Sequence, residues 1–265
     1  MPSILTSENF YNRLARAFDV MTDWPKRLAY EMPFLQKVLE QHGAKRVLDT
    51  ACGTGWHAIT LAQKGYYTVG CDASPEMIAR ARANAEQEGV NVPFVVASFN
   101  ELNKLKDKFD AVLCLGNSLP HLLTQKELKE ALRQMRLCLN PGGVLILQNL
   151  NYDLRLKKKP RFFAVHGDED TLVWRFADYG SKFITFHTAL FEKKIAKSNP
   201  RQVTWSVEVN STRQKPLLKK DLQILLQQIG FKEIKFYGGL DGSYFVKNKS
   251  ADLVIVAKSP KVKHG

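Results

Sequence analysis

The sequence predicts a doubly wound α/β fold built on a mostly parallel, seven-stranded sheet, and three observations carry that expectation. Short apolar runs alternate with helical patterns from Arg46 onward. A Gly-x-Gly turn, Gly53-Thr54-Gly55, stands directly between the first apolar run and its helix. Asn140-Pro141-Gly142-Gly143 then returns the chain from a later helix into a fifth apolar run. Parallel strands need crossover connections, so β-α alternation of this kind means a parallel sheet with helices on its faces.

The elements follow in order. Residues 1–43 read as an N-terminal helical segment. Phe18 and Met21, then Leu28, Met32, Leu35 and Leu39, recur at three- and four-residue spacing, with Pro25 near a helix start and Gly43 at a stop. Residues 44–152 read as the ligand-binding core: strand Val47-Leu48, helix 55–64, strand 68–71, helix 75–88, strand 93–96 and strand 111–115. Thr124 with Glu127 forms a capping-box pattern that opens a helix to Leu139, and strand 144–148 follows. Between 153 and 216 the pattern changes to alternation, as in Thr171 to Phe176, Phe183 to Phe186 and Thr204 to Val209, which predicts an antiparallel insertion acting as a lid. Residues 217–258 add a helix ending at Gly230 and two last strands, and 259–265 form a basic tail. At 265 residues the whole is read as one domain.

Composition narrows the function classes. Hydrophobic content of 45% and charged content of 25% are ordinary for a globular chain. No apolar stretch approaches the ~20 residues that span a bilayer, and Met1 to Tyr11 does not read as a signal peptide, so a cytoplasmic protein without a membrane partner is expected. Cys52, Cys71, Cys114 and Cys138 are widely spaced, which predicts neither a metal site nor a disulfide framework. The net charge of +13 raises nucleic acid as a partner. Yet the runs Arg155 to Arg161, Lys193 to Lys197, Lys215 to Lys220 and Lys258 to His264 lack interleaved aromatics, so solvated faces are the favoured reading.

The chemistry sits in Val47-Leu48-Asp49-Thr50-Ala51-Cys52-Gly53-Thr54-Gly55, where missing side chains let a ligand approach the backbone at a strand's carboxyl end. With Ala58 the stretch also satisfies a loose G-x-G-x-x-A pattern, so the glycines alone leave NAD and S-adenosylmethionine open. Asp72 ends the second strand, where a carboxylate can accept from both hydroxyls of a ribose; an N-cap role before Pro75-Glu76 is its bland alternative.

Taken in order, the first motif, Asp72-Ala73-Ser74-Pro75-Glu76-Met77, Phe109-Asp110-Ala111-Val112 and Asn140-Pro141-Gly142-Gly143 resemble the class I S-adenosylmethionine-dependent methyltransferases. The resemblance is strong over roughly residues 40 to 150. Within that superfamily, Gln41-His42-Gly43, Cys114-Leu115-Gly116-Asn117-Ser118 with His121-Leu122, and Asn151-Tyr152-Asp153 resemble the glycine N-methyltransferases and their relatives. The resemblance implies a Rossmann-like methyltransferase fold with S-adenosyl-L-methionine as cofactor and S-adenosyl-L-homocysteine as product. It implies that Ala51, Gly53 and Gly55 hold the methionine part, Asp72 the ribose, Ala73 and Met77 the adenine surroundings, and Leu115 the cofactor through its backbone. Asp49 and Tyr11 are placed with this set, and Arg27 matches the arginine that pairs with the cofactor carboxylate.

Two departures matter. Ser98 and Phe99 stand where many family members carry an acidic residue for the adenine amine; Ser98 could hydrogen-bond and Phe99 could cover the ring. Leu150 stands where the glycine enzymes carry an arginine for the amino-acid carboxylate, so glycine itself is not the expected acceptor. Asn117 and His121 beyond the fourth strand, and Asn151 and Tyr152 beyond the fifth, are the candidates at the acceptor, with His121 as a possible base; Trp174, Arg175, Tyr179 and His187 in the lid rank below them. The expected activity is methyl transfer to a nitrogen or oxygen of a small molecule. An RNA or other macromolecular acceptor, a catalytically silent S-adenosylmethionine-binding protein and an NAD-dependent oxidoreductase are the competing readings.

Overall fold

The computed structural model describes residues 3–196 and 199–261. Lys197 and residues 262–265 of the basic tail lie outside them. A seven-stranded sheet is built from β2 (Arg46–Asp49), β3 (Tyr67–Asp72), β4 (Phe94–Val96), β5 (Phe109–Cys114), β6 (Leu139–Leu150), β11 (Lys232–Tyr237) and β12 (Asp252–Lys258). Their order is β11-β12-β6-β5-β2-β3-β4. The strands β2 to β6 are parallel, and β12 runs antiparallel to both β6 and β11. The order reverses between β2 and β5, and ligands in open α/β sheets bind in the crevice at such a switch point.

Helices cover both faces. On one side α5 (Gln125–Cys138) and α7 (Lys219–Ile229) bury Leu128, Leu132, Met135, Leu222 and Leu225 against the sheet. On the other, α2 (Trp24–Gln41) buries Met32, Leu35, Val38 and Leu39. The helical segment is two helices, because Asp23 caps α2 through Lys26 N (3.1 Å) after α1 (Ser7–Met21) has ended. Along α1, Phe10, Leu14, Ala17 and Met21 face Val173 and Leu190, whereas Phe18 stands in a cavity wall.

The turn into α3 (Trp56–Gln63) depends on Gly55, whose φ is +88°. A Cβ there would lie 2.8 Å from Phe94 Cζ and 2.9 Å from the Ala81 side chain, which belongs to α4 (Pro75–Gln87). Gly55→Ala is therefore expected to cost roughly 2–4 kcal/mol, combining left-handed backbone strain with overpacking. A denaturant titration checks this, and an unchanged midpoint would refute it.

The insertion is a second sheet, in the order β1-β10-β9-β8-β7, formed by β7 (Phe162–Gly167), β8 (Thr171–Tyr179), β9 (Ile184–Ala196) and β10 (Asn199–Gln214), with β1 (Ile4–Leu5) joining β10 in parallel. Three features depart from the sequence reading. The N-terminal β1 and the strand β7 were not expected, and α6 (Tyr152–Lys158) precedes the sheet. Strand β6 also begins at Leu139, ahead of the expected Val144, because Asn140 pairs with Asp110 (2.8 Å) and the β5–β6 ladder carries an irregularity between Phe109 and Ala111.

Candidate active site

Three adjoining cavities open between the carboxyl ends of the parallel strands, α1 and the second sheet. The first, about 130 Å³, is walled by Thr50, Ala51, Asp72, Ala73, Ser98, Phe99 and His121, together with Glu8 and Asn100, which sequence reasoning missed. The second, about 60 Å³, lies beside the glycine turn and is walled by Arg27, Ala51, Gly53, Asp72, Met77, Leu115 and Gly116. The third, about 350 Å³, lies under the second sheet and includes Arg27, Gly116, Asn117, Gln148, Leu150, Arg155, Arg175 and Gln214. Tyr11 lines all three.

The walls fit S-adenosylmethionine. Gly53 and Gly116 both have positive φ, and a Cβ on either would project into space bordered only by Phe18 (3.7 Å) or Arg27 Nη2 (3.9 Å), so the glycines leave a cradle open. Arg27 stacks on Trp24, its guanidinium carbon 5.0 Å from the ring centroid. Its Nε donates to Glu31 (3.0 Å), leaving the two terminal nitrogens for a carboxylate. The other oxygen of buried Glu31 meets His57 Nε2 at 2.6 Å. Burial works against this carboxylate, but its His57 and Arg27 partners still hold it below the usual range. Asp72 accepts from Gly53 N (3.0 Å) and Ser74 N (2.9 Å) while facing the first two cavities; burial raises its pKa against those donors.

Other placements correct the sequence reading. Asp49 and Gly55 line none of the three cavities. Asp49 is buried, which pushes it up to about 6, and it accepts from Ala51 N, so it shapes the loop from behind. Met77 faces the second cavity, beside the glycine turn, and not the first, where Ala73, Ser98 and Phe99 lie. The Ser98 hydroxyl donates to Glu101 (2.9 Å) in a capping box, so its proton is already committed. Tyr152 is fully buried, its hydroxyl 3.1 Å from both the Asn117 amide nitrogen and Gln214 Oε1; it positions those two side chains and reaches no cavity. Asn151 likewise spends its amide on the Lys247 and Ser250 carbonyls.

His121 Nε2 lies 3.1 Å from the Tyr11 hydroxyl and 3.4 Å from the Gln214 amide nitrogen. Burial pushes His121 down to about 4, leaving a neutral imidazole too weak to serve as an efficient base near neutrality. Burial also raises the Tyr11 phenol well above its ordinary value, so Tyr11 is a neutral donor. Sequence reasoning missed Asp19 altogether. Its carboxylate accepts from Thr54 (2.6 Å), Trp24 (2.8 Å), Trp56 (3.2 Å), Asn84 (3.1 Å) and Arg80 (3.2 Å), tying the end of α1 to the glycine turn.

Residues 47–143 match the family model described as a methyltransferase domain. Across 246 residues the chain is 31% identical to the glycine/sarcosine N-methyltransferase of Aphanothece halophytica, covering 90% of this chain and 87% of that one. The chain belongs to the class I S-adenosylmethionine-dependent methyltransferases, among the glycine N-methyltransferase-like members. The corresponding enzyme of Halorhodospira halochloris is 30% identical over 90% of this chain and 84% of its own. Solved structures agree on the fold. A methyltransferase from Clostridium acetobutylicum superposes with a TM-score of 0.78 at 18% identity, over 94% of this chain and 99% of that chain. The sugar N-methyltransferase of a Streptoalloteichus species superposes at 0.71 and 22%, over 98% and 96%. This methyltransferase therefore uses S-adenosylmethionine, and the NAD and silent-binder readings fall away. Among the described residues no helix is long and apolar enough to cross a membrane.

Proposed function

We propose that this methyltransferase acts on the nitrogen of a small amine that carries a carboxylate and an apolar body larger than that of glycine. The observation that carries the reading is Arg175, whose side chain enters the third cavity with a buried Nε that meets no hydrogen-bond acceptor. Burial lowers its pKa, the mark of a guanidinium held away from water, and such a group calls for an anion. Arg155 lies in the same wall, stacked 4.7 Å from Phe163. Part of the first basic run is thus a cavity wall rather than a solvated face. These two arginines offer the charge that Leu150 lacks, so Leu150 is no argument against an amino-acid acceptor. Volume is what argues for more than glycine. About 350 Å³ lies at the lower end of the roughly 300–1,000 Å³ typical of ligand sites, and Phe10, Leu14, Met21, Phe163 and Phe186 make much of the wall apolar. Nitrogen is favoured over oxygen because the relatives that align over most of the chain are N-methyltransferases.

Bound S-adenosylmethionine supplies a methyl carbon that already carries a good leaving group, so positioning and exclusion of water can provide most of the rate. In this reading Arg175 and Arg155 hold the acceptor carboxylate. Arg27 and Asp72 hold the two ends of the cofactor, and Tyr11 sits where the three cavities meet. His121, neutral and hydrogen-bonded to Tyr11, fixes that hydroxyl and removes no proton; the amine reacts as the free base and its proton leaves to solvent. The test is an acceptor panel read by S-adenosylhomocysteine release: glycine, sarcosine, amino acids with apolar side chains, and the same amines lacking the carboxylate. Apolar amino acids are expected to exceed glycine at least about tenfold in kcat/KM, the worth of one or two buried methylenes. Equal turnover of amines without the carboxylate would overturn the assignment.

A further inference from the structure

Asp19, in the last turn of α1, lines none of the three cavities, yet its carboxylate joins two separate parts of the second cavity's wall. Oδ1 accepts from Thr54 Oγ1 (2.6 Å), Trp24 Nε1 (2.8 Å) and Trp56 Nε1 (3.2 Å), and Oδ2 from Asn84 Nδ2 (3.1 Å) and Arg80 Nε (3.2 Å). An ionised carboxylate offers about four lone-pair sites, so its accepting capacity is fully engaged. An asparagine here would turn its own donors toward Asn84 and Arg80, so the arrangement calls for an anion.

Two arms lead from Asp19 to the second cavity. The first runs through Trp24, whose indole lines that cavity and carries the Arg27 guanidinium stacked 5.0 Å from its centroid. Arg27 is held at Nε by Glu31, and the plane of the indole then sets the plane of its free fork. The bond from Trp24 Nε1 to Asp19 fixes that indole in one orientation. The second arm runs through Thr54, which is wholly buried between Gly53 and Gly55. Its hydroxyl pins the turn in which Gly53 leaves the cradle open. Phe18, the residue before Asp19, lies across from Gly53, 3.7 Å from where a Cβ would stand.

We propose that Asp19 is a positioning residue for the amino-acid end of the cofactor, setting the Arg27 fork through Trp24 and the glycine cradle through Thr54. This rests on the reading in which Arg27 pairs with the cofactor carboxylate. A bidentate pair depends on the orientation of the planar fork, so a guanidinium released to swing gives up much of the contact. A carboxylate that only packed α1 would brace the pocket alike for every ligand. One that works through Arg27 matters for a ligand that carries a carboxylate.

Calorimetric titration of the full chain with S-adenosylhomocysteine and with 5′-methylthioadenosine, which keeps the adenosine and sulfur but lacks the amino-acid part, separates the two roles. Asp19→Ala is expected to weaken S-adenosylhomocysteine at least about tenfold and 5′-methylthioadenosine no more than about twofold, with the same split for Arg27→Met. In the double variant the loss is expected to be smaller than the product of the two single losses, because both break one arm. Should Asp19→Ala misfold, Trp24→Phe keeps an aromatic ring beneath Arg27 but deletes the Nε1 donor, and the same split is expected at about three- to tenfold. Equal weakening of both ligands overturns the proposal and leaves Asp19 as a brace for α1. So does a double variant at the full product, or a loss on Arg27→Met with none on Asp19→Ala. If Arg27→Met binds both ligands as the wild type does, the pairing of Arg27 with the cofactor carboxylate fails first and the proposal falls with it.

Discussion

Arg175→Met is expected to lower kcat/KM for the acceptor by about 30- to 1,000-fold while leaving S-adenosylhomocysteine affinity within about twofold. The magnitude follows from losing a charge-assisted, bidentate contact to an anion in a site shielded from water, worth roughly 2–4 kcal/mol. The separation of the two readouts follows from geometry: Arg175 lines only the third cavity, whereas Arg27 and Asp72 border the two that fit the cofactor. Methionine keeps the length and apolar bulk of the stem, so packing beneath the sheet is preserved. Arg175→Lys keeps the charge but loses the planar fork and should fall between the two. Steady-state kinetics with the best acceptor of the panel, alongside calorimetric titration, checks both halves. Unchanged kcat/KM would remove Arg175 from the acceptor site.

Asp72→Ala is expected to weaken S-adenosylmethionine and S-adenosylhomocysteine binding by at least ~1.5 kcal/mol, or more than tenfold. The carboxylate has two tasks. It faces the first two cavities, where ribose hydroxyls could donate to it, and it braces the loop by accepting from Gly53 N and Ser74 N. Alanine removes both at once. Asp72→Asn separates them, because the amide keeps the volume and one acceptor but turns a donor toward the loop N–H or the ligand. Calorimetry on both variants, with a thermal melt to confirm folding, is the measurement. Unchanged affinity in a folded Asp72→Ala variant would take Asp72 out of the binding site.

Much of the first two cavities was legible because their walls are local in sequence. The stretch from Val47 to Gly55 holds a strand, a tight turn and a helix start within nine residues, and Asp72 closes the next strand beside it. Thr124 and Glu127 cap their helix as their spacing predicts. Errors arose where a residue's type was right but its direction unknown. Tyr152 follows the fifth strand as expected, yet the α6 turn rolls it inward behind Asn117. Asp49 belongs to the motif, yet it points away from the cavities.

The third cavity was not legible, because it is assembled from segments far apart in the chain. Arg155 comes from α6, Arg175 from β8, Gln214 from the end of β10 and Phe10 from α1. In the sequence Arg155 is one cation in a basic run, and Arg175 is one position in an alternating strand. Leu150 drew attention as a missing charge, although Arg155 and Arg175 line the same cavity. Asp19 is equally silent in sequence, since its five donors come from α2, the glycine turn, α3 and α4.

By itself, the sequence determined the layered α/β fold and the place of the glycine turn at the carboxyl end of the first sheet strand. Hydrophobic period, turn chemistry and helix caps act over a few residues, and the order of strands then dictates where the crevice opens. Only the tertiary structure decided which side chains line the third cavity and which face of the second sheet is left bare. Along a strand, successive residues point to opposite sides, so a single choice of face sends Arg175 into the cavity and Trp174 out to a surface, and that choice is made by what packs against the strand.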